Sequence, residues 1–270
     1  MRIAAVQMRS GTTPEANLSA LEGAVAEAAA GGARYVLTPE MTVAFAENRE
    51  GLAGVAEPFE GNGAIARLGD LARRHGLFLH VGSLAVALPD GYFANRSVLF
   101  DPEGAIRATY DKIHLFDATL PGLRDYRESA TYRGGDKAVV EPVGEHVLGF
   151  AICYDLRFPQ LFQALARAGA DLIALPAAFT VPTGEAHWES LLRARAIETG
   201  CYVIAAAQGG QHENGRATYG HSMIVDPWGK VIARIAGDEP GVILADLDPG
   251  RVADARGRVP ALANARAFSL

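Results

Sequence analysis

The chain has 270 residues, too many for a small disulfide-stapled module and few for two ordinary domains, so one large domain or two fused halves is expected. Hydrophobic residues make up 49% and charged residues 21%, which excludes a disordered chain. A formal net charge of -6, with no clustered run of Lys and Arg, removes the electrostatic footprint of a nucleic-acid binder.

Taken in chain order, the first predicted strand is Ile3 to Met8, followed by a helix from Pro14 with Thr13 as N-cap. Leu18, Leu21 and Val25 recur at helical spacing, and Gly31-Gly32 supplies a left-handed terminator. Tyr35 to Leu37 reads as a short buried strand running into Thr38-Pro39-Glu40. A helix carrying Ile65, Leu68 and Leu71 closes at His75-Gly76. Leu77 to Val86, Arg96 to Phe100 and Ala105 to Tyr110 are then three strands, the last two joined by the turn Asp101-Pro102-Glu103-Gly104.

From residue 147 the order begins again. Strand Val147 to Ile152, helix Phe158 to Ala168 with Gly169 as terminator, and strand Asp171 to Leu175 ending in Pro176 are followed by helix Glu185 to Glu198. Strands Cys201 to Ala207, His221 to Val225 and Val231 to Ile235 complete the series, the last two joined by Asp226-Pro227-Trp228-Gly229. Aligning the two turns matches Ser97 with Ser222, Gly104 with Gly229 and Ile106 with Val231, an internal repeat of β-α-β-α-β-β-β. Two helices can cover only one face of each apolar sheet, so the other faces must bury against one another. The expected fold is α/β, a four-layer α-β-β-α sandwich of halves at about 1–115 and 147–240 in one domain, with a C-terminal tail at 249–270.

Two cysteines cannot build a disulfide framework, and seven scattered His offer no ligand cluster, so neither a metal nor an organic cofactor is expected. The N-terminal apolar run is too brief for a signal peptide, and the longest apolar stretch, Cys201 to Ala207, falls far short of the ~20 residues that span a bilayer. The expectation is a soluble protein of the reducing cytoplasm.

Ligands of α/β folds gather beyond the carboxyl ends of strands. Cys153 follows the strand ending at Ile152 and precedes a sharp turn into a helix, where the dipole and free N–H groups would lower a thiol pKa and hold an oxyanion. Glu40 stands at the mouth of another strand, as a general base would. Lys112, in Asp111-Lys112-Ile113-His114, closes the first half. An amide carbonyl is a poor electrophile and ammonia a poor leaving group, so amide hydrolysis needs a thiolate, a proton carrier and positive charge at the oxyanion. These three residues could supply them, with the backbone N–H of Tyr154 as a second oxyanion donor.

Pro39-Glu40-Met41, Asp111-Lys112-Ile113-His114 and Ile152-Cys153-Tyr154-Asp155-Leu156-Arg157-Phe158, in this order, resemble the three signatures of the nitrilase superfamily of carbon-nitrogen hydrolases. The resemblance implies Cys153 as nucleophile, Glu40 as base and Lys112 as the oxyanion cation, and maps a second glutamate to Glu128. Ala177-Ala178-Phe179, Ala186-His187-Trp188-Glu189 and Tyr219-Gly220-His221-Ser222-Met223 look most like the branch related to the Nit half of NitFhit proteins, which implies substrate contacts at Ala178 and Phe179. That branch is associated with amidases acting on deaminated glutathione. The resemblance thus implies hydrolysis of a linear amide in a small carboxylate-bearing substrate, releasing ammonia through a cysteine thioester, in a homodimer or larger homo-oligomer. The alternatives are an ω-amidase, an N-carbamoyl hydrolase, a nitrilase, or a catalytically silent binding protein on the same sandwich. One departure is Arg133-Gly134-Gly135-Asp136, where the family more often has a Pro-Gly pair.

Gly61-Asn62-Gly63-Ala64-Ile65-Ala66 fits a loose dinucleotide fingerprint but follows no strand, so it reads as a turn and N-cap. A papain-like pair would need His114, His187 or His221 as base. Cys201 and Trp188 read as core, Asp155 and Arg157 as a salt bridge fixing the turn after Cys153, and Arg193 and Arg195 either as partners of carboxylates or as facing a substrate acid.

Overall fold

The computed structural model describes residues 1–46, 48–119 and 125–269, arranged as two mixed sheets packed face to face, with helices on both outer sides. The first sheet runs Gly241–Asp246, Arg2–Gln7, Tyr35–Leu37, Phe78–Ala87, Phe93–Phe100, Ile106–Asp111, with Tyr132–Arg133 beside Phe93–Phe100. The second runs Val140–Val143, His146–Phe150, Leu172–Ala177, Tyr202–Ala207, Met223–Val225, Val231–Arg234. In each, three parallel strands are flanked by antiparallel ones.

Strand alternation decides the layers. Ile3, Ala5, Tyr35 and Leu37 point between the sheets and join a core with Phe150, Leu172 and Ile204. Ala4, Val6 and Val36 point the other way, under Leu18, Leu21 and Val25 of helix Pro14–Ala30 and Ile65, Leu68 and Leu71 of helix Gly63–His75. Helices Pro159–Arg167 and Val181–Thr199 cover the second sheet, with Trp188 and Leu192 buried. Burying a side chain such as Leu21 fully contributes about 1.5–3 kcal/mol, and many such residues share these layers. Among the described residues no helix is long and apolar enough to cross a membrane.

The two matched turns have the same hydrogen bonds. Asp101 Oδ1 accepts from the N–H groups of Glu103 and Ala105, and Asp226 Oδ1 from those of Trp228 and Lys230. Gly104 and Gly229 take φ of 81° and 82°, a region that costs a residue with a Cβ.

Several local expectations are corrected. Thr13 occupies the N-cap position but its side chain makes no capping bond, and Gly31 is right-handed, the positive φ falling on Gly32 at 82°. The fifth helix begins at Val181 rather than Glu185, because Pro182 fits its first turn. Pro176 continues its strand instead of ending it: pairing with His146–Phe150 stops at Ala174, so its missing N–H leaves no gap in that ladder. Two edge strands and the short helix Arg49–Ala53 carry no periodic signal, and Gly241–Asp246 crosses to the first sheet, outside the second expected half. The residues after Asp248 form helices Pro249–Arg258 and Ala261–Asn264. Gly61 and Asn62 form a turn and N-cap, Asn62 Oδ1 accepting from Ile65 N–H.

Candidate active site

Glu40 stands just beyond strand Tyr35–Leu37 on a tightly held turn. Thr38 Oγ1 accepts from Gly82 N–H at 2.9 Å, Ser83 Oγ accepts from Met41 N–H at 3.0 Å, and Gln208 Nε2 donates to the Glu40 carbonyl at 3.0 Å. Any Cβ at position 82 would collide with the Thr38 carbonyl and Pro176, so glycine is what lets the neighbouring strand support this turn. Met41 takes φ 57°, a strained value for a residue with a side chain.

Lys112 follows strand Ile106–Asp111 and is 2% exposed. Its Nζ donates to Glu40 Oε1 at 3.0 Å and to Glu128 Oε1 and Oε2 at 3.0 and 2.9 Å. Asn95 Nδ2 adds donors to Glu40 Oε1 at 2.9 Å and Glu128 Oε1 at 3.3 Å. Glu128 lies on the short turn Glu128–Ala130 and also accepts from Phe116 N–H. Gly135 N–H binds the Lys112 carbonyl at 2.9 Å, and side chains at Gly134 or Gly135 would strike the main chain of Ile113 or Asp111, so the loop with the two glycines buttresses the lysine. Burial opposes charge on Lys112, yet the Glu128 and Glu40 carboxylates hold its pKa well above the ordinary lysine value.

Cys153 begins a tight turn, Cys153–Arg157, after strand His146–Phe150, with φ 48°. Asp155, fully buried, fixes the turn: it accepts from Ile152 N–H at 2.8 Å, Tyr110 Oη at 2.7 Å and His114 N–H at 3.0 Å, and lies 2.7 Å from His114 Nδ1. The expected Asp155–Arg157 bridge is therefore replaced by bonds to Tyr110 and His114, while Arg157 lies against His187 Nδ1 and over the Phe179 ring. The thiol faces the Glu40 carboxylate and the Ala178 N–H. Its expected low pKa is overturned. Burial pushes it up, the Glu40 carboxylate adds to the rise, and Lys112 and Ala178 N–H oppose without prevailing. On Glu40 burial acts upward, but the Lys112 charge and bonds from Cys153, Lys112 and Asn95 hold it below the ordinary carboxylate value. The resting pair is thus a thiol facing a carboxylate.

Glu40, Lys112, Cys153 and Glu128 line one cavity of about 360 Å³, together with Tyr154, Ala178 and Phe179. Tyr154 and Phe116 pack edge to face, Phe179 rests on Trp188, and Tyr132 closes the floor beside Met41. Arg49, Arg127, Arg157 and Arg216 add positive charge to the walls. Among the expected alternatives, His114 is engaged with Asp155 and stacked on Phe158, His187 lies against Arg157, and His221 stacks on Tyr219, while Glu40 is the carboxylate beside the thiol. Arg195 binds Glu198 and the Leu156 carbonyl, and Arg193 the Gly229 carbonyl and Glu189, which resolves both as structural. Cys201 is core. Sequence reading missed Asn95, Ser83 and Gln208: the first two are ordinary polar positions of their strands, and Gln208 follows the end of Tyr202–Ala207.

Deaminated glutathione amidase of Yersinia enterocolitica is 44% identical to this chain over 86% of it and 82% of that protein. The crystal structure of the C. elegans NitFhit protein superposes with a TM-score of 0.89 at 36% identity, covering 98% of this chain and 65% of that longer one. An amidase from Nesterenkonia sp. AN1, captured with acrylamide added at its active-site cysteine, is 29% identical with a TM-score of 0.79 over 96% of this chain and 98% of that one. The carbon-nitrogen hydrolase profile matches residues 2–257, and with the sandwich and these relatives it settles that this chain belongs to the carbon-nitrogen hydrolase family of the nitrilase superfamily.

Proposed function

We propose that this carbon-nitrogen hydrolase is an amidase of small carboxylate-bearing substrates, with deaminated glutathione as its substrate. The observation that carries the reading is the chain of contacts from the Cys153 thiol to Glu40 and from Glu40 Oε1 to Lys112 Nζ. Glu40 takes the thiol proton as Sγ attacks the amide carbonyl carbon, and the carbonyl electrons collect on an oxyanion held by Lys112 Nζ and the Tyr154 N–H. Glu40 returns the proton to the leaving nitrogen, the C–N bond breaks, and an acyl thioester remains on Cys153. The leaving group is ammonia from a primary amide and an amine from a substituted one. Glu40 then takes a proton from water, the hydroxide attacks the thioester, and the acid departs as the thiol is restored. Glu128 keeps Lys112 charged and aimed, Ala178 and Phe179 shape the acyl pocket, and the wall arginines supply charge where substrate carboxylates sit.

The name of the Yersinia relative and the adduct in the Nesterenkonia amidase support the bond class and the sulfur. The test is product release from a panel holding deaminated glutathione, α-ketoglutaramate, a carbamoyl amino acid and a nitrile. Hydrolysis of the first at the highest kcat/KM is expected; preference for another class, or release from none, overturns the substrate or the activity respectively. We further propose a homo-oligomer, on the exposed Ile197, Trp228 and Val259, working in a reducing cytoplasm where Cys153 and Cys201 stay free. Sedimentation velocity that finds a monomer would remove the first.

A further inference from the structure

Asn95 lies on strand Phe93–Phe100, fully buried, and belongs neither to the sulfur chemistry nor to the cavity wall described above. Three of its bonds converge on the catalytic charges. Nδ2 donates to Glu40 Oε1 at 2.9 Å and to Glu128 Oε1 at 3.3 Å, and its main-chain carbonyl accepts from Lys112 N–H at 3.0 Å. Its Oδ1, by contrast, is buried with no partner among the described residues.

A buried amide oxygen without a donor is costly. Turning the amide over would not relieve that cost, because the oxygen would then face two carboxylates that already share Lys112. The orientation is therefore set by what the nitrogen does. Nor does the repeat itself require an amide here: matching Ser97 with Ser222 places Gly220, just before strand Met223–Val225 of the second sheet, at the corresponding point, where there is no side chain at all.

We propose that Asn95 is a positioning residue for the amidase reaction, its Nδ2 pinning Glu40 and Glu128 together around Lys112 so that Glu40 stays an anion able to accept the proton of Cys153. This rests on the amidase reading above. A donor to a carboxylate favours the charged form, so removing it raises the proton affinity of Glu40 and moves the acid limb of the reaction toward higher pH.

Asn95→Leu tests this, being close in size to asparagine while lacking both the donor and the orphaned oxygen. The expected result with an amide the parent hydrolyses is a fall in kcat/KM of roughly tenfold or more, carried by kcat. The acid limb rises by about one pH unit, and the thermal midpoint stays at or above that of the parent. Asn95→Ala is the second variant, with the same limb shift expected even where its cavity lowers stability. A lowered midpoint with an unmoved acid limb, in either variant, would overturn the proposal and reduce Asn95 to packing. If the parent hydrolyses no amide in the panel, the amidase reading fails by itself. The pH dependence of Cys153 alkylation by iodoacetamide, located by mass spectrometry, then reads the same limb in parent and variants, and an identical limb in both would sink the role of Asn95.

Discussion

The two sheets are built alike and furnished differently. In the first, Ile3 pairs with Tyr35 and Tyr35 with Phe78; in the second, Leu148 pairs with Leu172 and Leu172 with Tyr202. Laying one register on the other sets Met8 against Cys153, Glu40 against Ala177 and His80 against Ile204, and the matched turns set Lys112 against Gly237. The first sheet thus brings the acid and the cation to strand ends where the second has alanine and glycine, and the second brings the thiol where the first has methionine. Neither sheet holds a complete set. The scaffold supplies equivalent places, and the chemistry exists only where the two face each other. The interiors differ too: Tyr35 Oη, His80 and Ser97 form a buried hydrogen-bonded chain at 2.7 and 2.8 Å, where the second sheet has Leu172, Ile204 and Ser222.

The sharpest way to break this division of labour is at the sulfur. Cys153→Ala should abolish amine release while the thermal midpoint is retained, and adding Met8→Cys should restore nothing, since the equivalent place lacks Glu40 and Lys112 around it. Restored turnover would show the halves to be interchangeable. Next, Glu40→Gln should lower kcat by about 10²–10⁴-fold, read from single-turnover kinetics. Lys112→Met should lose activity and also about 3–5 kcal/mol of stability in denaturant titrations, since it leaves the buried Glu40 and the partly buried Glu128 without their cation. Glu40, buried without that charge, would bind its proton more tightly folded than unfolded, so the variant should regain stability as pH falls.

The interior difference predicts a smaller, pH-dependent effect. Burial lowers the pKa of His80 to about 3 from an ordinary value near 6.5. The unfolded chain then binds the extra proton between those values, so stability is full above about pH 6.5 and declines as pH falls toward 3. For this group the loss is about 2 kcal/mol between pH 7 and pH 5. His80→Gln should flatten that slope in urea titrations, while the apolar Ile204 gives the second sheet none to flatten. Smallest are the turns. Gly104→Ala and Gly229→Ala should each cost about 1 kcal/mol for the positive φ. The first should cost more, because a Cβ there meets the Gly69 carbonyl rather than the flexible end of Ile197. Trp228→Glu, copying Glu103 of the other turn, should change the monomer by no more than about 0.5 kcal/mol.

Much of the fold is legible in the sequence because strands such as Tyr35–Leu37 and Tyr202–Ala207 are apolar runs bounded by Gly and Pro, and because the two Asp-Pro-x-Gly turns announce the repeat. The edge strands escape for different reasons: Val140–Val143 contains a proline, and Gly241–Asp246 is a short apolar run without alternation that falls after the repeat. The gathering of Glu40, Lys112, Glu128 and Cys153 is legible through motifs. What holds them is not, since Asn95 reads as an ordinary strand position and two of the partners of Asp155, Tyr110 and His114, come from more than forty positions earlier. The sign of the thiol shift was likewise hidden. Spacing reveals the turn after Cys153 but not the depth at which the sulfur is buried beside a carboxylate.

Arg2–Gln7 lies between Tyr35–Leu37 and Gly241–Asp246, and the N-terminal ammonium of Met1 contacts Glu145 and the Leu247 carbonyl. The strand Arg2–Gln7 therefore waits for Gly241–Asp246, far later in the chain, before its outer edge is covered. During translation that edge is an open template for other nascent chains. Losing the segment after Gly237 would leave it open permanently, and the expected cost is insolubility.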